Sequence, residues 1–171
     1  MKNNIMLIGF MGTGKSTVSK SLSMCTQYVE IDLDDYIEKK QNKTINEIFA
    51  EGGEAEFRNI ETLCLDEVCS RDELIISCGG GTVIKDENVE IMKNSGKIVL
   101  LTAKPETIYE RVKDSTNRPI LNGNMNVEYI RELMKKREAF YLRVADIIIE
   151  TDDKGADEIS REILEKIKKN G

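Results

Sequence analysis

The sequence predicts an α/β fold built on a mostly parallel sheet, and two observations carry that prediction. Five short apolar runs are spread along the 171 residues, and segments with helical periodicity lie between them. Strands that alternate with helices form parallel sheets, because each parallel neighbour needs a crossover connection. No repeat, low-complexity tract or interdomain linker interrupts the pattern, so residues 1–171 are expected to form one domain.

The apolar runs are rich in Ile, Val and Leu, as strands are when both faces of a parallel sheet are covered. They are NIMLIG (4–9), YVEIDL (28–33), ELIISC (73–78), KIVLLT (97–102) and DIIIET (146–151). The sequence therefore predicts five parallel strands, each buried on both faces.

Most of the helices are predicted from apolar residues that recur at three- and four-residue steps. In residues 53–70, for example, Phe57, Ile60 and Cys64 follow this spacing. The predicted helices span residues 18–26, 53–70, 105–112, 126–142 and 155–169. Residues 113–124 (KDSTNRPILNGN) are polar, contain Gly and Pro, and are expected to form a mobile loop.

The composition limits the classes of partner and chemistry. The net charge of −6, from 31 acidic and 25 basic residues, argues against bulk binding to nucleic acid or membrane surfaces. The first residues hold too short an apolar run for a signal peptide or a membrane span, so a cytoplasmic protein is expected.

The chain has four cysteines and no histidine. Because Cys25, Cys64, Cys69 and Cys78 show no CxxC spacing, a zinc site is not expected, and they are interpreted as small buried or semi-buried thiols. Any chemistry must then use carboxylates, Lys, Arg, backbone amides or a bound metal.

A glycine-rich segment directly follows the first predicted strand. Residues 9–17 read GFMGTGKST, which contains the pattern G-x-x-x-x-G-K-S and precedes a predicted helix. Such a loop turns successive N–H groups toward a phosphate, and the helix N-terminus adds partial positive charge. Lys15 is expected to reach the β- and γ-phosphates, and Ser16 to ligate Mg²⁺. The predicted nucleotide-binding residues of this loop are Gly12, Thr13, Gly14, Lys15, Ser16 and Thr17.

The spacing of these glycines excludes the dinucleotide fingerprint G-x-G-x-x-G. A chance glycine-rich turn is disfavoured by the preceding strand and by the complete motif. A nucleoside triphosphate is therefore the expected ligand. GTPases, ATP-driven regulators and small-molecule kinases all share this loop, so it does not choose among them.

Two carboxylates close the second predicted strand, in EIDLDDYIE (30–38). Asp32 and Asp34 are two residues apart, so in extended backbone both point into the crevice past the strand ends. One can hold Mg²⁺ through water while the other accepts the hydrogen of an attacking hydroxyl. The alternative for Asp34 and Asp35 is helix capping, whereas Asp32, which ends an apolar strand, is harder to explain as a cap.

The third predicted strand ends in three glycines, at 79–81. Glycine packs nothing in a strand, so another group is expected to approach this backbone closely, with a loose loop or bulge as the alternative. Arg58, Arg118 and Arg137 are candidates for binding an anion if they converge. Taken singly, each is more readily explained as a surface salt-bridge partner.

These segments together resemble the shikimate kinase family, in order and spacing, along nearly the whole chain. The matching segments are GFMGTGKST, IDLDDYIE, FAEGGEAEFRNIE, the strand ending in GGGTV, NRPIL and KREAFY. The resemblance implies a P-loop kinase fold with an acceptor-binding helical segment at about 33–61 and a lid at about 113–124. One stretch departs from the family: TDDKGADEI (151–159) lacks the proline that an adenine-facing loop often carries there.

The resemblance also implies an activity, the ATP-dependent phosphorylation of the 3-hydroxyl of shikimate in aromatic amino-acid biosynthesis. It implies one Mg²⁺ ion bound with ATP near Ser16 and Asp32, and catalytic roles for Lys15, Asp34 and Arg118. The expected partners are ATP and shikimate, with neither nucleic acid nor membrane, and the chain is expected to be a monomer.

Further binding residues are implied by the same matches. Arg111 matches an arginine that stacks on adenine, and Arg118 one that closes over the phosphates. Those implied to contact shikimate are Asp34, Arg58, Gly79, Gly80, Gly81 and Arg137, with Phe49 and Phe57 as apolar walls.

Two other functions fit part of the sequence. A gluconate-type or nucleoside-monophosphate kinase shares the phosphate loop, but a nucleotide acceptor has no need for glycines facing paired arginines. A nonenzymatic nucleotide switch would have lost acceptor residues, yet Asp34, Arg58 and Arg137 are all present. The sequence therefore favours shikimate as the acceptor.

Overall fold

The computed structural model describes residues 2–114 and 126–171. Within these residues strands alternate with helices, as the apolar runs predict. The strands are β1 (Asn4–Ile8), β2 (Val29–Asp32), β3 (Leu74–Ser77), β4 (Gly96–Thr102) and β5 (Ile147–Glu150). The helices are α1 (Lys15–Thr26), α2 (Leu33–Gln41), α3 (Ile45–Cys69), α4 (Asp86–Ser95), α5 (Pro105–Val112), α6 (Val127–Leu142) and α7 (Ala156–Lys169), with a short 3₁₀ helix at Thr82–Ile84.

The strands of the described residues form one parallel sheet in the order β2-β3-β1-β4-β5. The predicted five-stranded parallel sheet is therefore confirmed. In the central strand, Met6 is level with Ile76 of β3 and Ile98 of β4. The chain leaves β1 and β3 toward helices on opposite faces, which opens a crevice at the carboxyl ends of these two strands.

Both faces of the sheet are covered by apolar side chains. Met6 and Ile8 of β1 pack in a cluster with residues of α2 to α6, whereas Ile5 and Leu7 pack with residues of α1 and α7. Successive residues of a strand point to opposite faces, so one apolar run supplies both cores. In the part of the chain described, no helix is both long and apolar enough to cross a membrane.

The outer strands are less buried than the sequence analysis expects. Val29 of β2 is 55% exposed and Ile148 of β5 is 45% exposed, so the prediction that all five strands are buried on both faces is wrong for these two. Both lie at an edge of the sheet, where the flanking helices end. At the β5 edge, the Lys166 ammonium donates to the carbonyl of Ile148 at 3.0 Å, which occupies an otherwise open strand edge.

Two helical segments begin where the sequence analysis did not place them. Asp32 caps α2, because its Oδ1 accepts from the N–H of Asp35 at 3.1 Å, so the alternative that Asp34 or Asp35 caps the helix does not hold. Since α2 begins at Leu33, Asp34 lies in the first helical turn, and the extended backbone expected from Asp32 to Asp34 is wrong. α3 begins at a capping box of Thr44 and Glu47, eight residues before the predicted start at 53.

The remaining differences concern short or interrupted helices. Gly53, with φ of 74°, kinks α3 and separates its first turns from the helix predicted at 53–70. Helix α4 was not predicted, since Val89 and Met92 are its only large apolar residues that are buried. The predicted loop at 113–124, with its lid role, falls outside the described residues from position 115 onward.

The cysteines follow their interpretation with one exception. Cys64, Cys69 and Cys78 are buried free thiols, whereas Cys25 near the end of α1 is exposed.

Candidate active site

The segment between β1 and α1 forms a tight loop at the amino-terminal end of α1. Gly12 and Gly14 have φ of 79° and 93°, in the left-handed region that favours glycine. The hydroxyl of buried Thr13 donates to the carbonyl of Phe10 at 2.9 Å, which holds the loop from within. Because α1 begins at Lys15, the first N–H groups of the helix face this loop. This backbone is suited to bind a phosphate.

Lys15 folds back over the loop. Its ammonium donates to the carbonyl of Gly9 at 2.8 Å and to that of Phe10 at 3.1 Å. A cavity of about 580 Å³ opens beside it. Met11 lines this cavity, and so do all six loop residues predicted to bind nucleotide, namely Gly12, Thr13, Gly14, Lys15, Ser16 and Thr17.

Two oxygen ligands meet at one corner of the cavity. The hydroxyl of Ser16 donates to Oδ2 of Asp32 at 3.2 Å, while Oδ1 of Asp32 caps α2. Within the described residues, no group of three or more Asp, Glu, Cys or His side chains could hold a metal alone. The pair suits Mg²⁺, which takes one or two protein oxygens and completes its shell with phosphate and water.

At the other end of the cavity, Arg111 of α5 joins the loop to the segment after β5. Its guanidinium donates to the carbonyl of Gly12 at 3.1 Å, to the hydroxyl of Thr151 at 3.2 Å and to the carbonyl of Thr151 at 3.3 Å. Lys154 and Ala156 also line the cavity here. The stretch that lacks the proline of the family pattern therefore does border the cavity.

Residues 79–81, which we call the glycine shelf, lie at the carboxyl end of β3. The shelf is an ordered turn, since the carbonyl of Gly79 accepts from the N–H of Thr82 at 3.2 Å and that of Gly81 from the N–H of Ile84 at 3.2 Å. The alternative of a loose loop is therefore not supported. None of the three glycines has φ in the left-handed region, so space, not backbone conformation, accounts for them.

The space beside each glycine of the shelf is taken by a different charged side chain. A Cβ at Gly79 would lie 3.3 Å from Oδ1 of Asp34, and a Cβ at Gly80 would lie 3.1 Å from a guanidinium nitrogen of Arg137. A Cβ at Gly81 would clash with the guanidinium of Arg58. Helices α2, α3 and α6 thus bring three predicted acceptor residues to one short turn of backbone.

The acidity of Asp34 is shifted by its surroundings in the crevice. Burial first, and then the charges of Asp32 and Glu61, raise its pKa from 3.8 to about 6, although Lys15 acts in the opposite direction. Burial and the neighbouring carboxylates thus bring the pKa of Asp34 close to neutral pH.

The sequence analysis missed Glu61, which is 1% exposed. Its Oε1 accepts from Arg58 at 2.9 Å and its Oε2 accepts from the hydroxyl of Thr82 at 2.9 Å. Arg58 is therefore the partner of a salt bridge, as the alternative reading held, but of a buried one that aims it at the shelf. The available signal was a glutamate three residues after Arg58 on a face that is otherwise apolar.

The two predicted phenylalanine walls pack against each other. The ring centroids of Phe49 and Phe57 are 4.7 Å apart, and the guanidinium of Arg58 lies 5.2 Å from the ring of Phe57. Phe57 is buried, whereas Phe49 is 37% exposed. Arg118 lies outside the described residues.

The family model for shikimate kinase matches residues 11–168. The shikimate kinase of Dictyoglomus turgidum is 39% identical over 98% of this chain and 99% of its own length. A solved shikimate kinase from Acinetobacter baumannii, in complex with shikimate, is 36% identical with a TM-score of 0.93, covering 99% of this chain and 95% of that one. A gluconokinase from Sinorhizobium meliloti, at 14% identity and a TM-score of 0.59 over 98% of this chain and 93% of that one, shares the fold alone. The chain belongs to the shikimate kinase family.

Proposed function

We propose that this chain transfers the γ-phosphoryl group of ATP to the 3-hydroxyl of shikimate, giving shikimate 3-phosphate and ADP. The observation that carries the proposal is the convergence of Asp34, Arg58 and Arg137 on the glycine shelf beside the phosphate loop. The cavity beside the phosphate loop extends to Gly79 and Gly80 of the shelf, where a small ring would lie, and the charged groups match a hydroxyl and a carboxylate. Membership of the family supports the same reaction.

Phosphoryl transfer requires positioning and charge neutralisation more than covalent chemistry from the protein. Lys15, whose ammonium donates to two carbonyls of the loop, would turn it toward the phosphates. Ser16 and Asp32 would hold Mg²⁺, which when bound offsets phosphate charge. Arg111 would flank the adenine. Arg118, which is not among the described residues, is proposed to close over the phosphates.

Asp34 would accept the hydrogen of the attacking hydroxyl. With a pKa raised to about 6, this carboxylate is mostly ionised at pH 7, yet it is more basic than an ordinary aspartate. The proton that leaves the hydroxyl would move to its Oδ1, which faces the shelf at Gly79. An acid of this strength is suited to take up a proton and release it near neutral pH.

Arg58 and Arg137 would grip the carboxylate of shikimate from two sides. A guanidinium presents paired donors to a planar anion, and each arginine is already held in place by protein groups. Glu61 orients Arg58, and the guanidinium of Arg137 lies 5.9 Å from the ring of Phe10. Phe49 and Phe57 are proposed as the apolar wall of this pocket.

The test measures ADP release over a panel of acceptors, namely shikimate, a shikimate analogue without the carboxylate, gluconate and a nucleoside monophosphate. Arg58→Ala should weaken shikimate binding by about 10- to 150-fold, the cost of a charge-assisted hydrogen bond of about 1.5–3 kcal/mol. The analogue without the carboxylate should bind poorly and be much less sensitive to this change. Arg71→Ala, at an exposed arginine beyond α3, is the matched control and should leave shikimate binding unchanged.

Turnover of gluconate or the nucleotide in preference to shikimate would overturn the proposal. If Arg58→Ala weakens the binding of shikimate and of its analogue equally, Arg58 does not bind the carboxylate. The cytoplasmic location and the monomeric state stay predictions, and light scattering on the purified protein tests the second.

A further inference from the structure

We infer that Tyr141 is a positioning residue of the acceptor site, whose hydroxyl orients the peptide between Gly80 and Gly81. This inference rests on the proposed function for its kinetic consequence, but its geometric basis is independent of any ligand. Tyr141 lies on α6, it is 5% exposed, and the mechanism above does not use it.

The contact that carries the inference is a single short hydrogen bond. The hydroxyl of Tyr141 donates to the carbonyl oxygen of Gly80 at 2.6 Å. The peptide bond that follows is trans, so the N–H of Gly81 points away from that carbonyl, and hence away from Tyr141. Holding the carbonyl therefore also sets the direction of the N–H.

The amides of the shelf are available to a ligand. The N–H groups of Gly80 and Gly81 make no hydrogen bond to any residue that the structure describes. Two successive N–H groups without side chains between them can donate to an oxygen of a bound acceptor. Their usefulness depends on a fixed peptide plane, because a hydrogen bond weakens steeply when its angle departs from linear.

The same helix face also carries Arg137, one turn before Tyr141. Residues four apart on a helix are neighbours, and both side chains reach Gly80: a Cβ there would lie 3.1 Å from Arg137 and 3.6 Å from the Tyr141 hydroxyl. α6 therefore delivers one group proposed to contact the acceptor and one group that holds the backbone beneath it.

The hydroxyl remains a donor over the working pH range. Burial raises the pKa of Tyr141, and the charge of Arg137, its side-chain hydrogen bond to the hydroxyl and the charge of Arg58 only partly offset this. A buried tyrosine that needed only to fill space would require no hydroxyl, and phenylalanine would pack equally well. The hydroxyl, through the carbonyl of Gly80 and the side chain of Arg137, is thus the part of Tyr141 that the shelf requires.

The experiment compares wild type, Tyr141→Phe and Tyr28→Phe. Tyr28 is a partly buried tyrosine that precedes β2 at the amino-terminal end of the sheet and packs with the cluster of α1 and α7, so it serves as the matched control. Tyr141→Phe is expected to raise the KM for shikimate by about 3- to 10-fold, the usual effect of losing one neutral hydrogen bond, while the KM for ATP stays close to wild type and the urea unfolding midpoint falls modestly. Tyr28→Phe should change none of these.

Two further measurements separate a positioning role from packing. Among mono-deoxy shikimate analogues, at least one should bind wild type and Tyr141→Phe equally, because it lacks the hydroxyl oxygen to which the shelf amide would donate. In the ¹⁵N-labelled, ligand-free protein, the amide signal of Gly81 should move in Tyr141→Phe and stay in place in Tyr28→Phe.

An unmoved Gly81 signal, or KM values for ATP and shikimate that rise together, would overturn the inference. If wild type does not phosphorylate shikimate, the proposed function fails by itself, and the amide signal still decides the role of Tyr141.

Discussion

Replacing Asp34 with Asn is expected to stabilise the ligand-free protein, and increasingly so as the pH rises. Burial, Asp32 and Glu61 raise the pKa of Asp34 from 3.8 to about 6. The folded protein therefore holds this proton more tightly than the unfolded chain does. Between the two pKa values the folded state binds more protons, so this group lowers stability progressively as the pH increases.

The magnitude follows from the two pKa values. Below 3.8 the group is protonated in both states and contributes nothing. The cost of ionising it in the folded protein grows to about 1 kcal/mol near pH 4.5 and to about 3 kcal/mol near pH 7.5, at about 1.4 kcal/mol per tenfold change in proton affinity. Asn has nearly the shape of the protonated acid and carries no charge, so Asp34→Asn should avoid this cost.

The assay is urea unfolding of wild type and variant at a series of pH values, without nucleotide or Mg²⁺. The measured quantity is the difference in the free energy of unfolding at each pH, in which titrations shared by the two proteins cancel. Asp35→Asn is the matched control, because Asp35 is the exposed neighbour on the same helix turn. The same Asp34→Asn protein should lose shikimate phosphorylation, because the carboxylate that lowers stability is the group proposed to accept the proton of the hydroxyl.

A difference that stays constant between about pH 4.5 and pH 7.5 would refute the reasoning, because linkage requires it to grow across this window. An equal gain from Asp35→Asn would refute it as well. Either result would mean that the crevice does not favour the protonated form of Asp34.

Three further predictions concern the shelf and the nucleotide end. Gly81→Ala adds a Cβ that clashes with the guanidinium of Arg58, so the KM for shikimate should rise by about 5- to 100-fold, as for overpacking of about 1–3 kcal/mol. In the control Gly155→Ala the Cβ meets nothing within 4 Å, so this KM should not change, and similar KM values for the two variants would contradict the clash. Arg111→Ala removes the hydrogen bonds that join the phosphate loop to the segment after β5, so calorimetry should show ATP binding weakened by about 3- to 30-fold and shikimate binding unchanged. A selective loss of shikimate binding would contradict the placement of Arg111 in the nucleotide site. Lys15→Ala should leave the circular dichroism spectrum intact while turnover falls by about 100-fold or more, and near-normal turnover in the folded variant would rule out the phosphate-loop role.

Local features of the chain were predictable because they depend on residues close in sequence. The five apolar runs predict the strands, and the G-x-x-x-x-G-K-S pattern predicts the loop between β1 and α1. The periodicity at 53–70 predicts the longer part of α3. Helix α4 was not predicted, because its ten residues contain only two large buried apolar side chains, which give too weak a periodic signal.

The capping of α2 shows where such local reasoning stops. Asp32 was expected to point into the crevice and was harder to explain as a cap, yet one of its oxygens caps the helix while the other accepts from Ser16. A carboxylate has two oxygens with several lone pairs, so one residue can serve both contacts. The sequence contained both possible roles but did not show that they coexist.

The kind of fold and the phosphate loop were predictable from the residues alone, and the family resemblance implied the acceptor residues. The packing of distant helices brings Arg58 of α3, Arg137 of α6 and Asp34 of α2 to one glycine turn, which Glu61 and Tyr141 support. The tertiary structure also decided which strands form the edges of the sheet, and it raised the pKa of Asp34. These properties depend on groups far apart in the chain whose distance and solvent exposure are set by packing, so no local pattern of residues encodes them.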